Sequence, residues 1–248
     1  MNVSLYQAAA AMNAHSRWQD VIAQNLAAGS SPGYRRQEVS FAQVEAGLPA
    51  TLPGGLQGRF HIPAATTATV FQQGSMRPSQ GQLDFAIDGQ GFFEVQLPNG
   101  DTGYTRDGEF QLNAQGQLVT KQGHLVLSDA GPIQVDPANS APLTVSSNGT
   151  VSQGNDPKGK LRLAEFDQPN QLTTIGGGLF ITGASGAQPK PAANSLIRQG
   201  YLETSNATPT VEMSNLITAM RMFEVNQRVI TMQDERMGKT ITELGNPN

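Results

Sequence analysis

Residues 208–245 read TPTVEMSNLITAMRMFEVNQRVITMQDERMGKTITELG, and the spacing of apolar residues in this stretch decides the fold class. With Met213 at position a of a heptad, the a and d positions are Met213, Leu216, Met220, Phe223, Gln227, Ile230, Asp234, Met237, Ile241 and Leu244, eight of the ten apolar. That pattern predicts a single long amphipathic helix with a narrow seam. Thr208 is placed to cap its start with Pro209 at the first helical position, and Gly245 followed by Pro247 marks its stop. Glu224 with Arg228 and Glu235 with Lys239 are spaced four apart in the favourable order and fall off the seam. A helix of roughly 35 residues, ~50 Å at about 1.5 Å per residue, overhangs a compact domain and needs a partner of similar length.

Residues 4–28 carry the other helical pattern. Leu5, Ala8, Met12, Ile22 and Leu26 share one seam, Ser4 and Gln7 have capping-box spacing, and Gly29 ends the pattern. The expectation is an antiparallel coiled coil of the two terminal helices, with Leu26 near Met213. His15 and Gln19 then lie level with Phe223 and Gln227 and, with Asp234, form a polar layer that either sets register or faces a solvated groove. One apolar seam against one short helix does not offset the backbone entropy of ordering so long a segment. Both ends are therefore expected to be largely disordered in the free monomer and to order when neighbouring copies bury more surface.

Composition narrows the function. The chain has 248 residues, 27 Gly and 15 Pro, which points to many turns, and a charged content of only 15%, which leaves a mostly neutral polar surface. A net charge of −4 with no basic tract lacks the electrostatic footprint of nucleic-acid binding. Cysteine is absent, which excludes disulfides, thiolate metal sites and cysteine nucleophiles together. No apolar run approaches the roughly 18 residues that insertion in a bilayer requires. Met1–Met12 has an alanine run but no basic segment and no following cleavage site, so it does not read as a signal peptide. The expectation is a cytosolic protein or one exported with its N-terminus retained.

Between the helical patterns, Gly29 and Pro32-Gly33 force the chain out of the first helix, and residues 45–67 are rich in Gly and Pro without sustained periodicity. From Val70 to Leu202 short strand patterns alternate with turns, including Asn99-Gly100 and Asn148-Gly149 as hairpin turns. The expected architecture is α+β: long terminal helices pairing as a coiled coil, with an inserted all-β domain of short antiparallel strands. The expected divisions are 1–34 (helix and exit turn), 35–69 (extended linker), 70–203 (β-domain) and 204–248 (C-terminal helix).

Motifs from four parts of the chain, in one order, carry a family resemblance. Asn25-Leu26-Ala27 running into Pro32-Gly33-Tyr34-Arg35-Arg36 resembles the stretch that follows the first helix in flagellar rod and hook proteins. Leu83 to Phe93 and Tyr104-Thr105-Arg106-Asp107-Gly108-Glu109-Phe110 are similar to that family's β-domain motifs. Gly200-Tyr201-Leu202-Glu203-Thr204-Ser205-Asn206 is similar to its return motif, and Arg221 to Asn226 to its C-terminal helix. Ala28 departs from the family, which usually has a second Asn there. The length resembles the longer rod subunits. Thr51 to Gln57 is similar to the distal rod protein, whereas Gly131-Pro132-Ile133 with Arg221 to Glu224 is similar to the proximal rod protein that bears a β-domain. The resemblance implies a structural subunit of the flagellar basal-body rod, exported unfolded through the flagellar apparatus, assembling helically with copies of itself and with other rod and hook subunits, and needing no cofactor.

The catalytic readings that the sequence allows are weaker. Gly154 to Lys160 matches the spacing of a phosphate-binding loop, but Leu161 stands where a Ser or Thr is required and a strand pattern follows. His15, His61 and His124 are isolated, without metal-ligand spacing. Asp84 with Asp88, or Asp107 with Glu109, could be paired carboxylates, yet turn-adjacent acids are weak support for a glycosidase-like site. The competing class is a non-flagellar fibre or adhesin whose terminal helices oligomerise while the β-domain holds a ligand.

Overall fold

A computed structural model describes residues 3–47, 59–136, 139, 141–183, 186–192 and 194–245, with no account of the side chains of 3–5, 46–47, 59–60 and 243–245. Helix α1 spans Val3–Ala28 and helix α2 spans Pro209–Gly245, 26 and 37 residues. Both ends agree with local sequence chemistry. The Thr208 carbonyl accepts from the amides of Val211 and Glu212, each at 3.0 Å, so Pro209 sits where no amide hydrogen is needed. After α1 the Ser31 amide returns to the Ala28 carbonyl at 3.0 Å, and Pro32 prevents continuation. The Gln7 side-chain amide donates to the His61 carbonyl at 3.0 Å.

The chain divides into two compact units. The first comprises Met1–Ala27, Gln37–Ala68 and Thr208–Asn248, the second Ala28–Arg36 and Thr69–Ala207.

In the first unit, strands β1 (Gln37–Gly47) and β2 (Arg59–Thr69) pair with each other at the two ends of the stretch read as a linker. Helix α1 attaches to this pair. The Asn25 side chain donates to the Gln37 carbonyl at 2.8 Å and accepts from the Gln37 amide at 2.9 Å, copying the two-point pairing of a β-ladder. The His15 ring lies 5.4 Å from that of Phe41 and 6.2 Å from that of Trp18, and the last two meet edge-on at 5.7 Å.

The expected coiled coil of α1 with α2 is not formed. The chain has one helix at each end and is otherwise mostly strands in several sheets, and an intrachain seam would have to cover the a positions of α2. Instead Met213 and Met220 keep 56% and 54% of their surface, and Ile241 keeps 71%. The covered side of α2 is turned by about one residue: Glu212 and Ala219 are buried, and Leu216, Phe223, Asn226, Ile230 and Gln233 half-buried. The physical reason lies in α1, whose Asn25, Gln7 and His15 are engaged with β1 and β2.

In the second unit, β3 (Met76–Pro78), β4 (Phe85–Asp88), β5 (Phe92–Gln96) and β6 (Thr102–Thr105) lead into an antiparallel network. Along its sheet the order is 173–176, 179–181, β6, β5, 125–128, 118–120 and 110–112. The β5–β6 hairpin turns at Asn99-Gly100 with φ +88° at Gly100, and strands 143–145 and 150–153 turn at Asn148-Gly149 with φ +89° at Gly149. Strand alternation lets β5 serve two cores: Phe93 and Val95 join Phe85, Leu118, Val126 and Val151, whereas Phe92 joins Tyr104, Phe166 and Phe180. Residues 156–160 of the phosphate-loop-like stretch form a strand paired with 150–153.

Candidate functional site

The second unit holds a buried ionic clamp built from three of the motifs that carried the resemblance. Glu203, on strand 201–203 paired with β3, is completely buried at its side chain, as Arg35 and Arg106 nearly are. Arg35 Nη1 donates to Glu203 Oε1 at 2.5 Å, and Arg106 Nη1 donates to Glu203 Oε2 at 3.1 Å. The Gly74 amide adds a third donor, to Oε1 at 2.8 Å. Arg106 also donates through Nη2 to the Gly89 carbonyl at 2.6 Å, and its guanidinium carbon stands 5.1 Å over the Phe92 ring. Burial pulls the Arg106 guanidinium down to about 10, against the raising effect of Glu203, so it stays charged at neutral pH.

Two glycines let the strands approach this closely. A Cβ on Gly33, whose φ is +66°, would lie 2.2 Å from the Arg106 carbonyl carbon, and one on Gly74 would lie 1.9 Å from the Thr204 oxygen. The Gly33 amide donates to the Glu203 carbonyl at 2.8 Å, joining the exit turn of α1 to the strand that precedes α2.

Asn206 completes the arrangement. Its Oδ1 accepts from the Arg36 amide at 2.6 Å, and its Nδ2 donates to the carbonyls of Val70 and Gln72 at 2.8 and 2.9 Å. The Val70 amide donates to the Arg36 carbonyl at 2.8 Å. The chain changes unit after Ala27, Arg36, Ala68 and Ala207. One amide side chain thus fixes residues next to three of these four crossings. The arrangement engages both carboxylate oxygens of Glu203 with donors. Its chemistry is the mutual fixing of distant chain segments.

The residues singled out in the sequence fall elsewhere. Ala8 and Ile22 are buried; Met12, Leu26, His15, Gln19, Leu216, Phe223 and Ile230 are half-buried. Met213, Met220, Met237, Ile241, Gln227 and Asp234 are exposed, and the side chains of Leu5 and Leu244 lie outside the described residues. Of the motif turn, Asn25, Gly33 and Tyr34 are buried and Pro32 half-buried. Sequence reasoning gave Arg35, Arg106, Glu203, Asn206 and Gly74 no role of their own. The available signal was an ionisable residue directly after an apolar pair in a short strand, as in Tyr201-Leu202-Glu203.

Two family models match the chain: the flagellar hook protein FlgE/F/G D1 domain over residues 86–153 and the flagellar basal body rod FlgEFG protein C-terminal region over residues 198–243. The chain is 34% identical over 257 residues to the flagellar basal-body rod protein FlgG of Buchnera aphidicola subsp. Baizongia pistaciae, covering 95% of this chain and 97% of that protein. It is 33% identical over 249 residues to FlgF of Caulobacter vibrioides, covering 100% of both, and 33% identical to FlgG of Borreliella burgdorferi over 95% of this chain and 96% of that protein. With its clamp assembled from the motifs of that group and relatives matched along nearly its whole length, the chain belongs to the flagellar basal-body rod protein family.

Proposed function

We propose that this chain polymerises helically through its terminal helices to build the rod of the flagellar basal body, an axle that carries torque and leaves a channel for export. The observation that carries the reading is the exposed apolar surface of α2: Met213, Ile217, Met220, Val225 and Met232 each keep more than half of their surface on a 37-residue helix. Apolar surface on this scale favours burial against further copies. A contact that repeats head to tail without closing generates a filament. In this proposal residues 1–34 and 204–248 form the axial core, 70–203 the β-domain, and 35–69 the link. The seam residues of both helices meet neighbouring copies, with His15, Gln19, Gln227 and Asp234 as polar positions within those contacts. Passage through the flagellar export apparatus, contact with other rod and hook subunits, and a place in the periplasm-spanning rod belong to the same proposal.

Electron microscopy of the concentrated protein tests it. Hollow tubes of helical symmetry are expected from the whole chain and not from a chain lacking 1–28 and 208–248. Tubes from the shortened chain, or discrete closed oligomers from the whole one, would overturn it.

A further inference from the structure

The chain holds eight methionines and no cysteine, so thioethers are its only sulfur. Five of the eight lie on α2, and all five are exposed: Met213, Met220 and Met232 keep more than half of their surface, Met222 47% and Met237 38%. Met12 on α1 and Met76 on β3 are half-buried, and Met1 lies outside the described residues. A thioether is oxidised where an oxidant reaches the sulfur lone pair, so exposure ranks the sites and gathers the first four on one helix. Met213, Ile217 and Met220 follow i, i+4, i+7 spacing and run along one side of α2, as Val225 and Met232 do at i, i+7. A sulfoxide oxygen in such a stripe is a polar acceptor that burial would strip of water.

We propose that Met213, Met220, Met222 and Met232 are oxidation sites for hydrogen peroxide, and that their sulfoxides hold a free chain out of the assembly until they are reduced. In the step, the sulfur lone pair attacks one peroxide oxygen, an S–O bond forms and the O–O bond breaks. The departing hydroxide takes the proton of the transferred oxygen and leaves as water; sulfur loses two electrons and the peroxide gains them. The product is polar and chiral where the thioether was apolar and pliable, and it resists burial in an apolar contact. Once neighbouring copies cover α2, the same burial shields the sulfurs, so the free chain is the sensitive form. The effect on assembly rests on the rod reading; the selectivity of the oxidation does not.

The test treats the whole chain with hydrogen peroxide, dilute and assembled, and maps each sulfoxide by mass spectrometry. In the dilute chain the four sites should oxidise at least about fivefold faster than Met12 and Met76, and in tubes about tenfold slower than in the dilute chain. The oxidised chain should need about tenfold more protein to form tubes, and treatment with both methionine sulfoxide reductases, one for each epimer, should restore the untreated value. A chain carrying Met213→Leu, Met220→Leu, Met222→Leu and Met232→Leu keeps the apolar volume and should form tubes with or without peroxide. Equal rates at Met12, Met76 and the four sites, or equal rates in tubes and in the dilute chain, would overturn the proposal. So would tube formation by wild type that oxidation leaves unchanged, a loss that the reductases do not reverse, or a loss in the peroxide-treated leucine variant. If the leucine variant forms no tubes even untreated, recovery of wild type by the reductases decides. If untreated wild type forms no tubes, the rod reading falls with the effect on assembly, while selective oxidation of the four thioethers stands or falls on the measured rates.

Discussion

Glu203 makes the Arg35 and Arg106 charges tolerable in the interior, and its loss should be felt more than that of any ion pair on the surface. Glu203→Gln removes the one bonded anion between two buried cations, and urea unfolding should report a loss of about 3–5 kcal/mol. By contrast, Lys190→Ala, which breaks only the exposed pair with Asp167, should cost less than about 1 kcal/mol. Gly33→Ala meets the Arg106 backbone head-on and should cost more than about 2 kcal/mol, whereas Gly100→Ala, with positive φ but open space, should cost about 1 kcal/mol. Burial holds the Asp107 carboxyl up to about 6, opposed by the hydrogen bond it accepts from the Glu109 amide. The folded state therefore binds this proton more tightly than the unfolded chain, whose ordinary value is 3.8. That contribution is fully present below pH 3.8, is lost as pH rises to about 6, and changes little above. Urea midpoints compared at pH 4 and pH 6.5 should show Asp107→Asn relieved of the part of the decline that Asp107 causes. None of these roles was legible in spacing: Arg35 and Glu203 are 168 residues apart, and a pair at that separation leaves no local periodicity.

At the scale of elements, what is decided locally was legible. Pro209 and Gly29 bound the helices, and the hairpins turn at Asn99-Gly100 and Asn148-Gly149, because caps and positive-φ turns are set by a few adjacent residues. The facing of α2 was not, since hydrophobicity alone favours Met213 and Met220, whereas in this chain Glu212 and Ala219 take the covered positions. Which stripe of a helix is buried depends on what packs against it, and the pairing of β1 with β2 beside α1 carried no recognisable alternation in the sequence. A rotated seam separates two kinds of position on one helix. Met220→Asp alters an exposed residue and should change monomer stability by no more than about 0.5 kcal/mol while blocking tube formation by the concentrated protein. Loss of monomer stability by several times that amount would mean that Met220 is already packed within one copy.

Across the whole molecule, the clamp and the helices divide the labour. Arg35, Arg106, Glu203 and Asn206 hold together chain segments from residue 33 to residue 206, so the second unit is braced at the roots of both ends before any neighbour arrives. The helices, by contrast, leave large apolar side chains uncovered along most of α2. A helix at each end of the chain with strands between was legible, but the expected fold class with its coiled coil does not form, because a heptad pattern states that a helix wants a partner without stating which chain supplies it. The most direct measurement is amide hydrogen exchange along residues 209–245, compared between dilute monomer and assembled tubes. The account predicts rapid exchange over most of α2 in the monomer and strong protection in the tubes, with the strands around Glu203 protected in both. Strong protection of α2 in the dilute monomer would contradict it.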